Sequence, residues 1–253
     1  MITTNLFQST EARKLITRKG IFAVIEYQKD LSISFDNAAN AYFASQMNLR
    51  KRQVVAQIKE PNGVILQAGA MQLMIGQLQA SSNVKGMGDL FGKFVGGAVT
   101  GESAVKPRYS GNGILVLEPT YKYILLEDLS EWEGGMVIDD GMFLACEESV
   151  RYTITARKNL SSAISGGKGL FNTKLEGKGI AVLESYIPEQ ELITVNLEND
   201  VLKVDGNMAI AWSGSLDFTV EKATKSILGS IASGEGLVNV YRGTGKVLLA
   251  PVV

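Results

Sequence analysis

A short phrase is written three times along this chain at equal spacing. Gly111-Asn112-Gly113-Ile114-Leu115-Val116-Leu117-Glu118-Pro119 returns as Gly177-Lys178-Gly179-Ile180-Ala181-Val182-Leu183-Glu184-Ser185, and again as Gly243-Thr244-Gly245-Lys246-Val247-Leu248-Leu249-Ala250-Pro251. Both steps are 66 residues (111 to 177, 177 to 243). Self-similarity at a fixed period marks a chain built from repeated supersecondary units. The 253 residues, which by length alone would allow one or two domains, are therefore read as one body of similar units. The expected boundaries are 1–110 for a divergent first β unit with an N-terminal extension, 111–176 for a second unit and 177–253 for a third. Residues 243–253 repeat the opening strand, and Lys246–Val253 are expected to pair with the N-terminal unit and close a ring-like body.

The local pattern is all-β with a few short helices. Short β-branched or apolar runs alternate with glycine and Asx turns. Asp140-Gly141 separates Met136-Val137-Ile138 from Met142-Phe143-Leu144-Ala145, and Asp205-Gly206 separates Val201-Leu202-Lys203-Val204 from Met208-Ala209-Ile210-Ala211-Trp212. Both read as tight hairpins, because Asp and Gly tolerate the positive φ of type I′ turns. Asp139 and Asp205 keep the 66-residue step. Asn62-Gly63 and Gly69-Ala70-Met71 are fainter versions of the same turns. Helical spacing appears at Leu90–Ala98, Leu160–Ile164 and Val220–Ile231, each followed by a glycine stop. Ahead of the repeats, Ile21–Tyr27, Leu31–Phe35 and Gln53–Ile58 read as strands.

Composition removes whole classes of chemistry. The chain has no histidine, so the commonest general base, the commonest metal ligand and every imidazole triad are missing. Cys146 is the one cysteine, which rules out a disulfide within the chain and a thiolate zinc site. In Met142-Phe143-Leu144-Ala145-Cys146 it reads as a small buried strand residue. With 25 basic and 26 acidic residues the net charge is −1, so no global field draws nucleic acid or anionic lipid. The basic clusters Arg13, Lys14, Arg18, Lys19 and Arg50-Lys51-Arg52 read as solvated faces. No basic-then-apolar leader and no apolar run near a membrane span occurs, and the lone thiol fits a reducing cytoplasm. The glycine-rich segment 81–101, with Leu90, Phe91, Phe94 and Val95, has two readings. A helix packed on the sheet is preferred to a membrane-surface helix, because only Lys85 and Lys93 are basic there.

No motif names a reaction. The Gly-x-Gly phrases run into strands and never continue to a second glycine ahead of a helix, so they read as strand bends rather than phosphate cradles. Glu127-Asp128, Asp139-Asp140 and Glu147-Glu148 are sequence neighbours, which on a strand point to opposite faces and make no acid/base pair; Glu189 and Glu191 are a further acidic pair. Trp132, Trp212, Tyr109, Tyr121, Tyr123 and Tyr241 could line a groove for bases or sugars, but at strand spacing they fit a core or interface better. The sequence nominates no catalytic, cofactor-binding or metal-ligating residue and no cofactor.

The run from Ser233-Gly234-Glu235-Gly236 through Arg242-Gly243-Thr244-Gly245-Lys246-Val247-Leu248-Leu249-Ala250-Pro251, with Thr100-Gly101-Glu102-Ser103 and Gly69-Ala70-Met71, resembles the mitochondrial-biogenesis ("altered inheritance of mitochondria") family, from about Arg52 onward. The resemblance implies a fold similar to the tryptophan RNA-binding attenuator protein: a jelly-roll-like, double-stranded β-helix unit, here repeated with pseudo-threefold character. RNA binding by that fold's namesake is analogy only, and the resemblance supplies no catalytic residues. Together with a sheet edge in need of a partner, it implies a homo-oligomer, a trimer first. The expected function is a non-enzymatic oligomeric binding or scaffold protein in the cytoplasm, with a protein partner. The alternative is a carboxylate-based enzyme or binding protein for a small polar ligand or sugar.

Overall fold

The computed structural model describes residues 3–82, 106–156, 171–222 and 237–251. These form β1 (Arg13–Lys19), β2 (Phe22–Tyr27), α1 (Ala38–Gln46), β3 (Arg52–Ile58), β4 (Gly63–Leu66), β5 (Met71–Ser81), β6 (Arg108–Leu117), β7 (Tyr123–Asp128), β8 (Met136–Ile138) and β9 (Phe143–Glu147). They continue with β10 (Arg151–Ala156), β11 (Phe171–Glu176), β12 (Ile180–Ser185), β13 (Ile193–Asp205), β14 (Ala209–Ser213), β15 (Asp217–Lys222) and β16 (Leu237–Leu249). Two antiparallel sheets result. One runs β1-β2-β3-β6-β4-β9-β12-β7 with β5 also on β6; the other runs β10-β11-β8-β14-β16-β13 with β15 also on β16.

The repeat in the sequence is a repeat in the hydrogen-bond ladder. The strand leaving each Gly-x-Gly phrase has one neighbour that precedes the repeat's turn: Ala56 faces Leu115, Glu127 faces Ala181 and Val195 faces Val247. Its other neighbour follows the turn: Met71 faces Leu117, Phe143 faces Leu183 and Ala209 faces Leu249. Each of those later strands then skips one residue, Gln72, Leu144 or Ile210, in a β-bulge that bends the strand locally. Just beyond, the N–H groups of Glu118, Glu184 and Ala250 donate to the carbonyls of Ala70, Met142 and Met208 at 2.8, 2.7 and 2.7 Å. The strand entering each phrase pairs with β4, β8 or the second half of β13, with Val64 facing Tyr109, Met136 facing Leu175 and Leu202 facing Tyr241.

The first glycine of each phrase adopts one backbone conformation. Gly111, Gly177 and Gly243 have φ of +114°, +111° and +117°, where a Cβ is strained. In the second repeat this bend carries the chain between sheets, separating β11 from β12.

Four expectations are corrected. The Asp-Gly turns at 139–142 and 205–208 are not hairpins. β8 and β9 lie in different sheets and do not pair with each other, while β13 and β14 flank β16 from opposite sides. Positive φ at Gly141 (+80°) and Gly206 (+63°) makes the reversal, but such a turn does not require its two arms to bond. Leu31–Phe35 is not a strand. It leads through a 3-10 turn at Phe35–Asn37 into α1, where the following Ala38-Ala39-Asn40-Ala41 favours helix over sheet. Val220 belongs to β15, paired with Asn239, rather than to a helix. Lys246–Leu249 do not close on the N-terminal strands. They pair with β13 and β14, because that is the position the phrase takes in every repeat. The expected helices at Leu90–Ala98 and Leu160–Ile164, the remainder of Val220–Ile231, and the 81–101 segment from residue 83 onward lie outside the described residues.

The core follows the repeat. Phe22, Val54, Leu66, Leu115, Leu117 and Val182 pack as one cluster; Leu125, Trp132, Met136, Ile138, Leu175 and Leu183 as a second; Trp212, Tyr241 and Val247 anchor a third. Each fully buried side chain of this size contributes about 1.5–3 kcal/mol relative to exposure.

Candidate assembly surface

Among the described residues, two strand edges that the repeat covers elsewhere stand open at its two ends. β4 is enclosed between β6 and β9, and β8 between β11 and β14. The second half of β13 occupies the same place in the third repeat, yet among the described residues β13 pairs with β16 alone. The converse holds for β5. Its counterparts β9 and β14 are each covered by a strand of the preceding repeat, while β5 pairs only with β6 among the described residues. Unpaired N–H and C=O groups along such edges bond readily to another strand. Apolar side chains are exposed on both: Leu73 and Met74 at 39% and 41% on β5, Val201 and Ile193 at 46% and 47% on β13.

A second exposed apolar region surrounds α1, none of whose residues is buried. Phe35 is 95% exposed, and Leu31, Tyr42, Phe43 and Met47 are exposed beside it. Between the second and third repeats lies a pocket of about 410 Å³ lined by Asp139, Asp140, Met142, Glu184, Tyr186 and Ile210. Lys122 Nζ sits 2.7 Å from Glu184 Oε2 and 5.1 Å from the centre of the Tyr186 ring, so the Glu184 charge is already matched. Among the described residues no cluster of three or more Cys, Asp or Glu side chains could hold a metal ion.

The groups weighed for chemistry have structural work. Cys146 is fully buried in β9. Burial pushes its thiol up to about 12, nearby Lys106 pulls against this, and Glu147 adds to it. Glu127 Oε2 accepts the Trp132 indole N–H at 3.1 Å. Asp128 accepts from the Ser130 N–H and hydroxyl at 2.9 and 2.7 Å, which holds its carboxyl below the usual range. Glu147 accepts the Ile180 N–H at 3.2 Å and Glu148 is ion-paired with Arg108. Glu189 and Glu191 sit in a 3-10 turn with no buried residue. Tyr109, Trp132, Trp212 and Tyr241 are buried, as a core reading requires, and the rings of Trp212, Phe218 and Tyr241 contact one another with centres 5.2–5.5 Å apart; of the set only Tyr121 is exposed. One basic residue departs from the solvated-face reading: Arg52 is buried, with Nη2 2.8 Å from Glu26 Oε2 and its guanidinium 4.0 Å from the Tyr123 ring centre. It is held inside because Glu26 faces it directly across the β2–β3 ladder.

Residues 43–252 match the family model described as mitochondrial biogenesis AIM24. The chain belongs to the AIM24 family. An uncharacterized protein of Streptococcus pyogenes serotype M6 is 30% identical over 200 residues, covering 76% of this chain and 78% of that protein. A crystal structure of a Streptococcus pyogenes protein is similar with a TM-score of 0.57 at 26% identity, over 81% of this chain and 89% of that one. The AIM24 match begins within α1, so β1, β2, Leu31 and Phe35 lie ahead of it while both open edges lie inside it. No helix among the described residues is long and apolar enough to cross a membrane.

Sequence reasoning did not find the β5 edge, nor the open side of β13. A signal for the latter was present in Asn199-Asp200 and Lys203, polar residues interrupting a strand whose counterparts Val64-Ile65-Leu66 and Met136-Val137-Ile138 are wholly apolar.

Proposed function

We propose that this AIM24-family chain is a non-enzymatic binding or scaffold protein that works in the cytoplasm as a homo-oligomer, a trimer first, and presents its outer faces to a protein partner. Its body is read as three jelly-roll-like units in pseudo-threefold repeat. The observation that carries the proposal is the pair of complementary open edges on β5 and β13. A monomer bearing long unpaired edges risks uncontrolled association, and a closed symmetric assembly removes that risk. The absence of histidine and the structural engagement of Cys146, Glu127, Asp128, Glu147 and Glu148 support a role without bond chemistry. The family's description, mitochondrial biogenesis, suits an organising role as well as any catalytic one. Light scattering at micromolar concentration tests the assembly: a mass of three copies is expected, and a monomer removes the proposal.

The pocket at Asp139, Asp140 and Glu184 favours a second reading, a site for a small polar ligand or sugar, because it brings together carboxylates from a turn and from β12. Titration calorimetry with a panel of neutral monosaccharides tests it. Saturable heat that is lost in Asp140→Asn supports this reading, and no heat with any member removes it.

A further inference from the structure

We infer that the second half of β13 docks on β5 of a second copy of this chain in the register already used twice within the chain. The inference rests on the oligomeric reading above and adds the surface, the direction and the pairs. Two internal junctions set the pattern. In the first, Leu66 faces Ala145, Ile65 faces Cys146 and Val64 faces Glu147. In the second, Ile138 faces Ala211, Val137 faces Trp212 and Met136 faces Ser213. A backbone bond locks each at the turn: the Gln67 N–H donates to the Leu144 carbonyl at 2.8 Å, and the Asp139 N–H to the Ile210 carbonyl at 3.0 Å. Leu144 and Ile210 are the bulged residues of β9 and β14.

The third repeat carries the same donor side and the first repeat the same acceptor side. Leu202 occupies the place of Val64 and Met136, since it faces Tyr241 as they face Tyr109 and Leu175. Val204 therefore stands where Leu66 and Ile138 stand. On β5, Gln72 is the bulged residue, and Leu73 stands where Ala145 and Ala211 stand. The register follows: Val204 against Leu73, Lys203 against Met74, Leu202 against Ile75, with the Asp205 N–H donating to the Gln72 carbonyl. Side-chain sizes compensate, because the smaller Val204 meets the larger Leu73 where Leu66 and Ile138 each meet alanine. Lys203 lays its stem along Met74 and keeps its ammonium in water, and an edge lysine also deters indiscriminate pairing.

The occupant is a second copy because the complementary edge is β5 of this same fold, and among the described residues the two edges of one chain are not joined to each other. A contact between two different surfaces is heterologous, so each copy gives one edge and receives one; such contacts form a ring where the rotation closes, and the trimer proposed above is that closed form.

Cysteine crosslinking of the full chain tests the register. Facing residues of an antiparallel pair lie about 4.5–5.5 Å apart at Cα, within disulfide range. Cys146 is buried with its thiol pushed up to about 12, so it adds no background. The double variant Lys203→Cys/Met74→Cys, under mild oxidant, should give a ladder of disulfide-linked chains on a non-reducing gel. Neither single variant should crosslink, and Lys203→Cys/Gln79→Cys should stay at background. A light-scattering oligomer with no ladder, or with equal crosslinking through Gln79→Cys, overturns the register and leaves the oligomeric reading standing. A disulfide confined to one chain also overturns it. A monomer by light scattering removes both.

Discussion

β4 and β8 on one hand, and the second half of β13 on the other, hold the same place in three successive repeats and have different surroundings. The first two are short, closed on both sides and almost wholly buried, with sequences Gly-Val-Ile-Leu and Met-Val-Ile. The third is part of a 13-residue strand in which only Leu197 and Val204 are buried. Ladder position is thus kept by the repeat, while side-chain character tracks whether a second described strand covers the element. Composition along a repeat therefore reports neighbours, not only local structure.

The largest expected effect separates closed from open strands. Leu66 is fully buried in the first junction, so Leu66→Ala should cost about 2–5 kcal/mol from lost transfer energy and the cavity left behind. Ile193→Ala, on the open first half of β13, should stay within about 0.5 kcal/mol. Denaturant unfolding of the two variants checks the contrast, and equal losses would break it.

The glycine phrases sharpen the comparison further. Gly111 and Gly243 share a φ near +115°, as the values +114° and +117° show. Added side chains would nevertheless meet different surroundings. A Cβ at Gly111 would run into the Gln77 carbonyl of β5, whereas at Gly243 the nearest atom is 3.8 Å away. Gly111→Ala should therefore cost more than Gly243→Ala, each including about 1–3 kcal/mol of backbone strain. Thermal unfolding of both variants measures the difference, and equal shifts would show that φ alone matters.

At the open edges the expected effect is on association rather than folding. Leu73→Glu places a charge on the β5 edge at a position 39% exposed in the isolated chain. Circular dichroism should be unchanged while light scattering reports dissociation to single copies. An oligomer of unchanged mass would place the interface elsewhere, and the exposed cluster around Phe35 and Met47 would be the next surface to vary.

The period of 66 residues made the threefold ladder legible, because the first glycine of the Gly-x-Gly phrase holds φ near +115° in all three copies. β2, β3 and the runs around the turns were legible from β-branched alternation. The partners of those runs were not. Asp140-Gly141 announces a reversal, but whether the arms bond to each other depends on which sheet each joins, and that is decided by strands far away in sequence. Leu31–Phe35 alternates like a strand and pairs with no strand among the described residues, so the helix-favouring alanines after it set the local outcome. Arg52 was missed as a buried residue because charge patterning reads only its neighbours Arg50 and Lys51, while Glu26 and Tyr123 hold it from other strands. The need for a partner edge could be argued from the repeated opening strand, but the pairing of Lys246–Val253 with the N-terminal unit does not hold as far as Leu249, since those residues are filled on both sides within their own repeat.

The smallest expected effect lies on the β15–β16 pair, on the side of β16 away from the open edge. Arg242 reaches across to Glu221 with two contacts, Nη1 to Oε1 at 2.6 Å and Nη2 to Oε2 at 2.8 Å, and the Thr219 hydroxyl donates to the same carboxylate at 2.9 Å. The Arg242 guanidinium, then the Thr219 hydroxyl, hold the Glu221 carboxyl down to about 2 from an ordinary 4.5. A carboxyl with a depressed folded-state pKa stabilises the fold fully above its ordinary value and loses that contribution as the pH falls to the folded one. Glu221→Gln should therefore lower the melting temperature slightly at pH 7 and not at all near pH 2, with the difference from the parent chain vanishing between about 4.5 and 2. The shift stays small because both side chains are 37% exposed and water screens the pair. The carboxyls of Asp30, Asp128 and Glu176 are also held low by their donors, so the parent chain itself loses stability in acid. Only the difference between parent and variant isolates Glu221, and a difference that persists undiminished at pH 2 would mean that the side chain acts through packing rather than charge.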